Sequence, residues 1–350
     1  MRRFFLLAAG LTLPGLVSVP SPASAQQGGV EITEWEVPWS ESRPRDPYLG
    51  PDGRVWFVGQ TADYVAALDP GSGDFQRFDL PDGAGPHNLI VDGDGTVWYA
   101  GNRVANIGEL NPETGEIVEH PMPDEAARDP HTLLFDGEGG IWFTVQGGNF
   151  VGHFDKASGE TRLVAAPRSE SRGRMGSSRP YGIKLDSRGH PWIALFNTNR
   201  LATVDPATME METFELPDGA RPRRLVVDSQ DVVWYVDYAR GKLGRFEPES
   251  EEITEWDNPG GPESRPYGMA IDAADRIWFV ETGSAPNQFV GFDPATESFI
   301  SVTEVGGPPG AIRHMYYDEA ENVVWFGTDW DTVGRAVLPP VEDRVVSQQP

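Results

Sequence analysis

Pro86-His87-Asn88-Leu89-Ile90-Val91-Asp92-Gly93-Asp94-Gly95-Thr96-Val97-Trp98-Tyr99-Ala100 reads as two extended runs joined by an Asp/Gly turn. Apolar residues alternate on both sides of the turn, which is the pattern of a β-hairpin. The stretch recurs. Trp56, Trp98, Trp142, Trp192, Trp234, Trp278 and Trp325 each close the same pattern, at intervals of 42, 44, 50, 42, 44 and 47 residues. Repetition at roughly 40–50 residues with four short strands per unit predicts an all-β fold, a β-propeller.

Within the second unit the strands fall at 88–91, 96–100, 105–110 and 117–120. The last two are joined by Asn111-Pro112-Glu113-Thr114-Gly115-Glu116, a turn repeated as Asp69-Pro70-Gly71-Ser72, Asp205-Pro206-Ala207-Thr208 and Asp293-Pro294-Ala295-Thr296. Proline presets the turn dihedral and Asp or Asn bonds back to its own backbone. Ile32-Thr33-Glu34-Trp35-Glu36-Val37-Pro38 matches the fourth-strand segment Ile253-Thr254-Glu255-Trp256-Asp257-Asn258-Pro259, while the last unit stops after its third strand. The N-terminal strand is therefore predicted to complete the seventh blade, removing an open edge. The expected organisation is one seven-bladed domain over residues 26–340, with a loose tail at 341–350.

Residues 1–25 read as a signal peptide: Arg2-Arg3, an apolar run from Phe4 to Val17, then Ala23-Ser24-Ala25. The arginine pair fits either Sec or twin-arginine export, to a periplasmic or secreted destination. No later segment is long and apolar enough to span a bilayer. A formal charge of −26 disfavours nucleic acid and anionic membrane as partners. The chain has no cysteine, so an oxidising compartment imposes no disulfide framework. A monomer acting on a small molecule is expected.

The first strand of each blade lines the central channel. Counting eleven residues back from the tryptophans gives His87, His131, Tyr181, Arg223, Tyr267 and His314, with Arg313 as the alternative in the longer seventh unit. Pro47-Tyr48 places Tyr48 at this position in the first unit. Such a ring predicts a polar ligand funnel. Asp237, Glu281 and Asp329 follow the tryptophans of blades five to seven and could hold a divalent cation or act as bases. Arg179, Arg221, Arg223, Arg224, Arg265 and Arg313 gather on this face, with Arg43 and Arg45 nearby, and point to an anionic ligand. His87 and His131 stand at equivalent positions on adjacent blades, suited to share one substrate. Insertions at 168–178 and 284–288 belong to connections on that same face.

The repeated pattern of Pro, an aromatic or His, Gly, Asp, a Gly turn and Trp-Phe resembles the virginiamycin B lyase family over about residues 31–338. Arg265-Pro266-Tyr267-Gly268-Met269, Ile277-Trp278-Phe279-Val280-Glu281 and Val333-Gly334-Arg335 carry it. The resemblance implies a seven-bladed propeller that opens a cyclic ester, a streptogramin B antibiotic, by elimination with a magnesium ion. Its implied site lies where the last blade meets the first. It places a tyrosine at Tyr48, a metal-binding acid at Asp329 and a catalytic histidine at His314 or Arg313. Two positions depart from the pattern: Tyr267 replaces a histidine, and Ile312 or Ala311 replaces a glutamate. The expected function is lyase-like opening of an ester or lactone, with His314 or His131 as base and a cation at Asp329 and Glu281. A metal-dependent lactonase and a non-catalytic binding propeller are the alternatives.

Overall fold

The computed structural model describes residues 29–171, 174–308 and 310–340. The expected leader at 1–25 and tail at 341–350 lie outside these. In blades four, five and six the first hairpin is held by one aspartate. Asp228 Oδ1 accepts the Gln230 and Val232 N–H groups at 2.9 and 3.0 Å, and its Oδ2 accepts Trp234 Nε1–H at 2.9 Å. Asp272 holds Trp278 in the same way at 2.8 Å. The aspartate thus sets the turn and anchors the indole that fills the blade interface. In the outer turns, Asp69 Oδ1 accepts the Gly71 N–H at 2.8 Å, as the Asp-Pro motif predicts.

Seven antiparallel four-stranded sheets result, and no helix forms among the described residues. The first strands are Pro44–Leu49, Pro86–Val91, Pro130–Phe135, Pro180–Leu185, Pro222–Val227, Pro266–Ile271 and Met315–Asp318. Each touches the first strand of both neighbouring blades, so the seven close a ring around a channel. Glu31–Glu36 pairs antiparallel with Thr332–Val337, Ile32 opposite Ala336, and completes the seventh sheet as expected. Trp35 of this strand lies against Trp325, ring centroids 5.5 Å apart.

The core is distributed over the seven blade interfaces. Trp98 packs with Leu133 and Phe143 of the next blade, Trp142 with Ile183 and Ile193, and Trp325 with Val55 and Phe57 across the closure. All seven repeat tryptophans are buried. Backbones of adjacent first strands come very close: a Cβ at Gly182 would lie 2.9 Å from the Arg224 Cα. The first insertion folds as a small hairpin, Ser169–Ser171 with Arg174–Gly176.

Candidate functional site

Proline opens the first strand in six of the blades, where the missing N–H costs no ladder bond. A bulge follows. Pro86 lies opposite Gly101, but the next pair is Leu89 with Tyr99, so His87 and Asn88 face a single residue. The same shift occurs in blades one and three to six. A bulge re-aims side chains, and in blades one, two, three and five two successive side chains serve the channel: Arg45 and Asp46, His87 and Asn88, His131 and Thr132, Arg223 and Arg224.

The upper ring consists of Arg45, His87, His131, Tyr181, Arg223, Tyr267 and Arg313. Two expectations are corrected. Tyr48 pairs with Trp56, a level occupied by Ile90 in the second blade, and it packs on Tyr316 at 4.6 Å. Arg45 takes the mouth position, and the eleven-residue count from Trp56 falls on it. In blade seven Tyr316 pairs with Trp325, which puts Arg313 in the ring and His314 one step below.

Below the mouth a second ring ties the blades together. Asp46 is fully buried, accepts Arg45 Nε–H at 2.9 Å and Asn88 Nδ2–H at 3.0 Å, and lies 3.8 Å from Arg224. Arg224 crosses the channel, donating to Thr132 Oγ1 at 3.2 Å and to the Arg313 carbonyl at 3.3 Å. Burial would push the Asp46 carboxyl up, but Arg45 and Arg224 outweigh it and hold it below its ordinary value. Lys184, lower in the channel, is pushed down to about 8 by burial and by Arg224. The single-residue count could not find this second ring, because the bulge leaves no mark in the alternation.

The histidines of the mouth are neutral. The His87 and His131 rings lie 3.6 Å apart, tilted by 36°, and His87 Nδ1–H donates to the His131 carbonyl at 3.1 Å. Burial depresses both far below the ordinary histidine value, helped by Arg45 for His87 and by Arg224 for His131. His314 is brought down to about 3 by burial and Arg224. Thr132 Oγ1, which accepts from Arg224, also hydrogen-bonds His131 Nδ1 at 2.8 Å. His131 Nε2 is buried without a hydrogen-bond partner.

Tyr181 and Tyr267 form a hydroxyl-to-hydroxyl bond across the mouth. Arg223 covers the Tyr267 ring with its Cζ 3.4 Å from the centroid. Burial opposes ionisation of Tyr267, but Arg223, Arg45, Arg224 and Arg313 bring it down to about 7. Burial and the neighbouring Tyr267 push Tyr181 up. The pair behaves as one unit that shares a proton between two oxygens, as two like acids in contact do.

Above the pair lies a cavity of about 310 Å³. Arg43, Arg45, Arg179, Arg223 and Arg313 line it together with His87, His131 and Tyr181, and no carboxylate does. Gln60, Asn102, Gln146 and Phe196 complete the wall from the connections after the second strands. The sequence reading passed over these four. Each follows its repeat tryptophan by 4 residues, as Asp329 follows Trp325, whereas Asp237 and Glu281 follow theirs by 3.

Residues 25–174 match the virginiamycin B lyase family. The fold matches a streptogramin B lyase structure at 25% identity, covering 90% of this chain and all of that one, with a TM-score of 0.78. It matches virginiamycin B lyase from Staphylococcus aureus at 23% identity, covering 89% of this chain and all of that one, with a TM-score of 0.77. A catalytically inactive variant of that enzyme, crystallised with quinupristin, matches equally well. The extracellular domain of a hybrid two-component system from B. thetaiotaomicron matches at 16% identity, covering 90% of this chain and 44% of that one, with a TM-score of 0.65. No curated protein matches.

The virginiamycin B lyase resemblance implied magnesium on the rim, and the donors present do not fit it. Asp329 is held by Arg313 through Nε at 2.9 Å and Nη2 at 2.6 Å, with Arg43 at 3.4 Å. Asp237 caps the Arg221 and Ala239 N–H groups at 3.0 Å each and pairs with Arg240 at 2.5 Å. Glu281 accepts the Gly260 N–H at 3.0 Å in a separate pocket with Ser264 and Ser284, its carboxyl pushed up by burial. Among the described residues no group of three or more His, Asp or Glu side chains could hold an ion. Of the expected substrate-binding residues, Arg313, Arg223, Tyr181 and Arg179 line the cavity, while Arg265 is exposed beside Glu263 at 3.7 Å.

Proposed function

We propose that the channel mouth breaks a carbon–oxygen bond by elimination, with the Tyr181–Tyr267 pair as the base. The observation that carries this reading is the acidified tyrosine pair directly beneath three guanidiniums. Elimination needs a base for a carbon-bound proton and positive charge for the enolate that forms. Tyr181 lines the cavity. It takes the proton from carbon while passing its own to the Tyr267 oxygen. The C–H electron pair becomes the new double bond, the C–O bond breaks, and the departing oxygen recovers a proton from the pair. Arg45, Arg223 and Arg313 stabilise the charge on the carbonyl oxygen in between.

The family match supports this class of chemistry, and the arginine ring supplies the positive charge from the chain itself. The basic and apolar leader read in the sequence supports action outside the cytoplasm. The test is a screen of β-oxygenated carbonyl compounds in the presence of EDTA, following the ultraviolet absorbance of the new double bond. Tyr267→Phe should lower turnover by about 10²–10⁴-fold, the usual worth of a positioned base. Turnover that survives in both Tyr267→Phe and Tyr181→Phe rejects the assignment. Binding without an unsaturated product would instead favour a non-catalytic ligand-binding propeller.

A further inference from the structure

Four buried polar atoms at the mouth carry no hydrogen-bond partner: Arg45 Nη2, Arg223 Nε, Arg224 Nη2 and His131 Nε2. Buried donors are rarely left unpaired, because each costs the desolvation of its group. They come from blades one, five, five and three, so no local turn accounts for them. Arg45, Arg223 and His131 also line the cavity, whereas Arg224 lies in the ring below, its Nη2 3.8 Å from Asp46. Asp46 and Asp329 already occupy other faces of Arg45 and Arg313, and still no acid lines the cavity. In a chain of net charge −26, five arginines around one small hole are not a solubility device.

We infer that the five arginines lining this cavity are built for a carboxylate, and that the substrate is a β-alkoxy carboxylate of the kind found in the uronate units of acidic sugars. This rests on the elimination reading. An arginine fork matches the planar, two-oxygen geometry of a carboxylate, and Arg313 shows that match with Asp329 at the rim. A carboxylate also makes chemical sense of the cations. The proton on the adjacent carbon is hard to remove while the carboxylate is negative, because abstraction would place a second charge on the same group. Guanidiniums around that group neutralise the first charge and stabilise the second. A phosphate or sulfate would fit the charge but would not acidify the carbon in this way. The cavity, near the small end of the roughly 300–1,000 Å³ typical of ligand sites, suits one sugar-sized unit.

The step balances without a co-reactant. The proton on the carbon next to the carboxylate moves to the tyrosine pair, and its bonding electrons form the carbon–carbon double bond. The β C–O bond breaks with its electrons on oxygen, and that oxygen takes a proton back from the pair. An unsaturated uronate and a shortened sugar with a free hydroxyl are released.

The experiment uses the purified chain with oligogalacturonate, oligomannuronate and oligoglucuronate, each beside its methyl ester. Binding is read by calorimetry and elimination by ultraviolet absorbance. The expected result is binding and cleavage of at least one acid and of none of the esters, weakened by added salt. Arg223→Gln should reduce binding of that acid by roughly 10–100-fold, the worth of a hydrogen bond to a charged group. Arg179→Gln, at the half-buried edge of the cavity, should reduce it less and serves if the first variant fails to fold. Elimination of the methyl esters as readily as the acids overturns the inference and leaves the elimination reading standing. Binding of the acids alone with no unsaturated product keeps the carboxylate site and overturns the elimination reading. Binding of neither acid nor ester overturns the inference.

Discussion

Seven tryptophans and seven mouth residues occupy fixed places in the same repeat, yet the two sets differ in every other respect. The tryptophan position holds one residue type in all blades because every blade must fill the same wedge against its neighbour. The mouth position holds Arg, His, His, Tyr, Arg, Tyr and Arg, because the ring faces a cavity and no packing rule makes its members alike. Identity across the repeats therefore marks structure in this chain, and variety at a fixed register marks the site.

Breaking the uniform set should cost the most. Trp142→Ala removes a buried indole that packs on Ile183 and Ile193 and should lower stability by about 3–5 kcal/mol. Chemical denaturation measures this, and ligand binding by the folded fraction should be unchanged.

The varied set should instead show itself through pH. His87, His131 and His314 are held neutral in the fold, well below the ordinary value of 6.5. Below that pH the unfolded chain takes up protons that the folded chain refuses, so stability falls as the medium becomes more acidic. Each histidine contributes about 1.4 kcal/mol per pH unit until its folded value is reached. Melting curves of wild type and His131→Gln should diverge below pH 6.5, with the variant losing less.

The smallest effect concerns the rim. Because Asp329, Asp237 and Glu281 are engaged separately, magnesium or EDTA should leave the melting temperature of the wild type where it was. Asp329→Asn should cost about 1 kcal/mol through the loss of its arginine fork. A magnesium-dependent rise that disappears in Asp329→Asn would restore a metal to the rim.

The fold was legible because the repeat tryptophans and the Asp-Pro turns act within a few residues of themselves. Even the ring closure could be read, since the segment at Ile32 copies the one at Ile253. The site was legible only in part. Pro47-Tyr48 imitates the Pro-Tyr pairs at 180–181 and 266–267, while Pro44-Arg45 stands at the true position. The bulge that brings Asp46, Asn88 and Arg224 into the channel depends on strand pairing that alternation cannot encode. The rim acids misled for a related reason. A carboxylate at a strand end caps backbone N–H groups or meets an arginine from another loop, as Asp237 and Asp329 do, and both partners come from the folded arrangement.

The arginine ring holds an ionisable tyrosine, Tyr267, at the mouth. Ultraviolet difference titration of the chain, which has nine tyrosines, tests it most directly. One tyrosine should ionise near the value of about 7 to which the guanidiniums bring Tyr267, against the ordinary 10.0, and that step should be missing from Tyr267→Phe. Since the folded value is the lower one, the wild type should also gain stability over this variant as pH rises from about 7 towards 10. A titration in which every tyrosine ionises at its ordinary value or above would contradict the account.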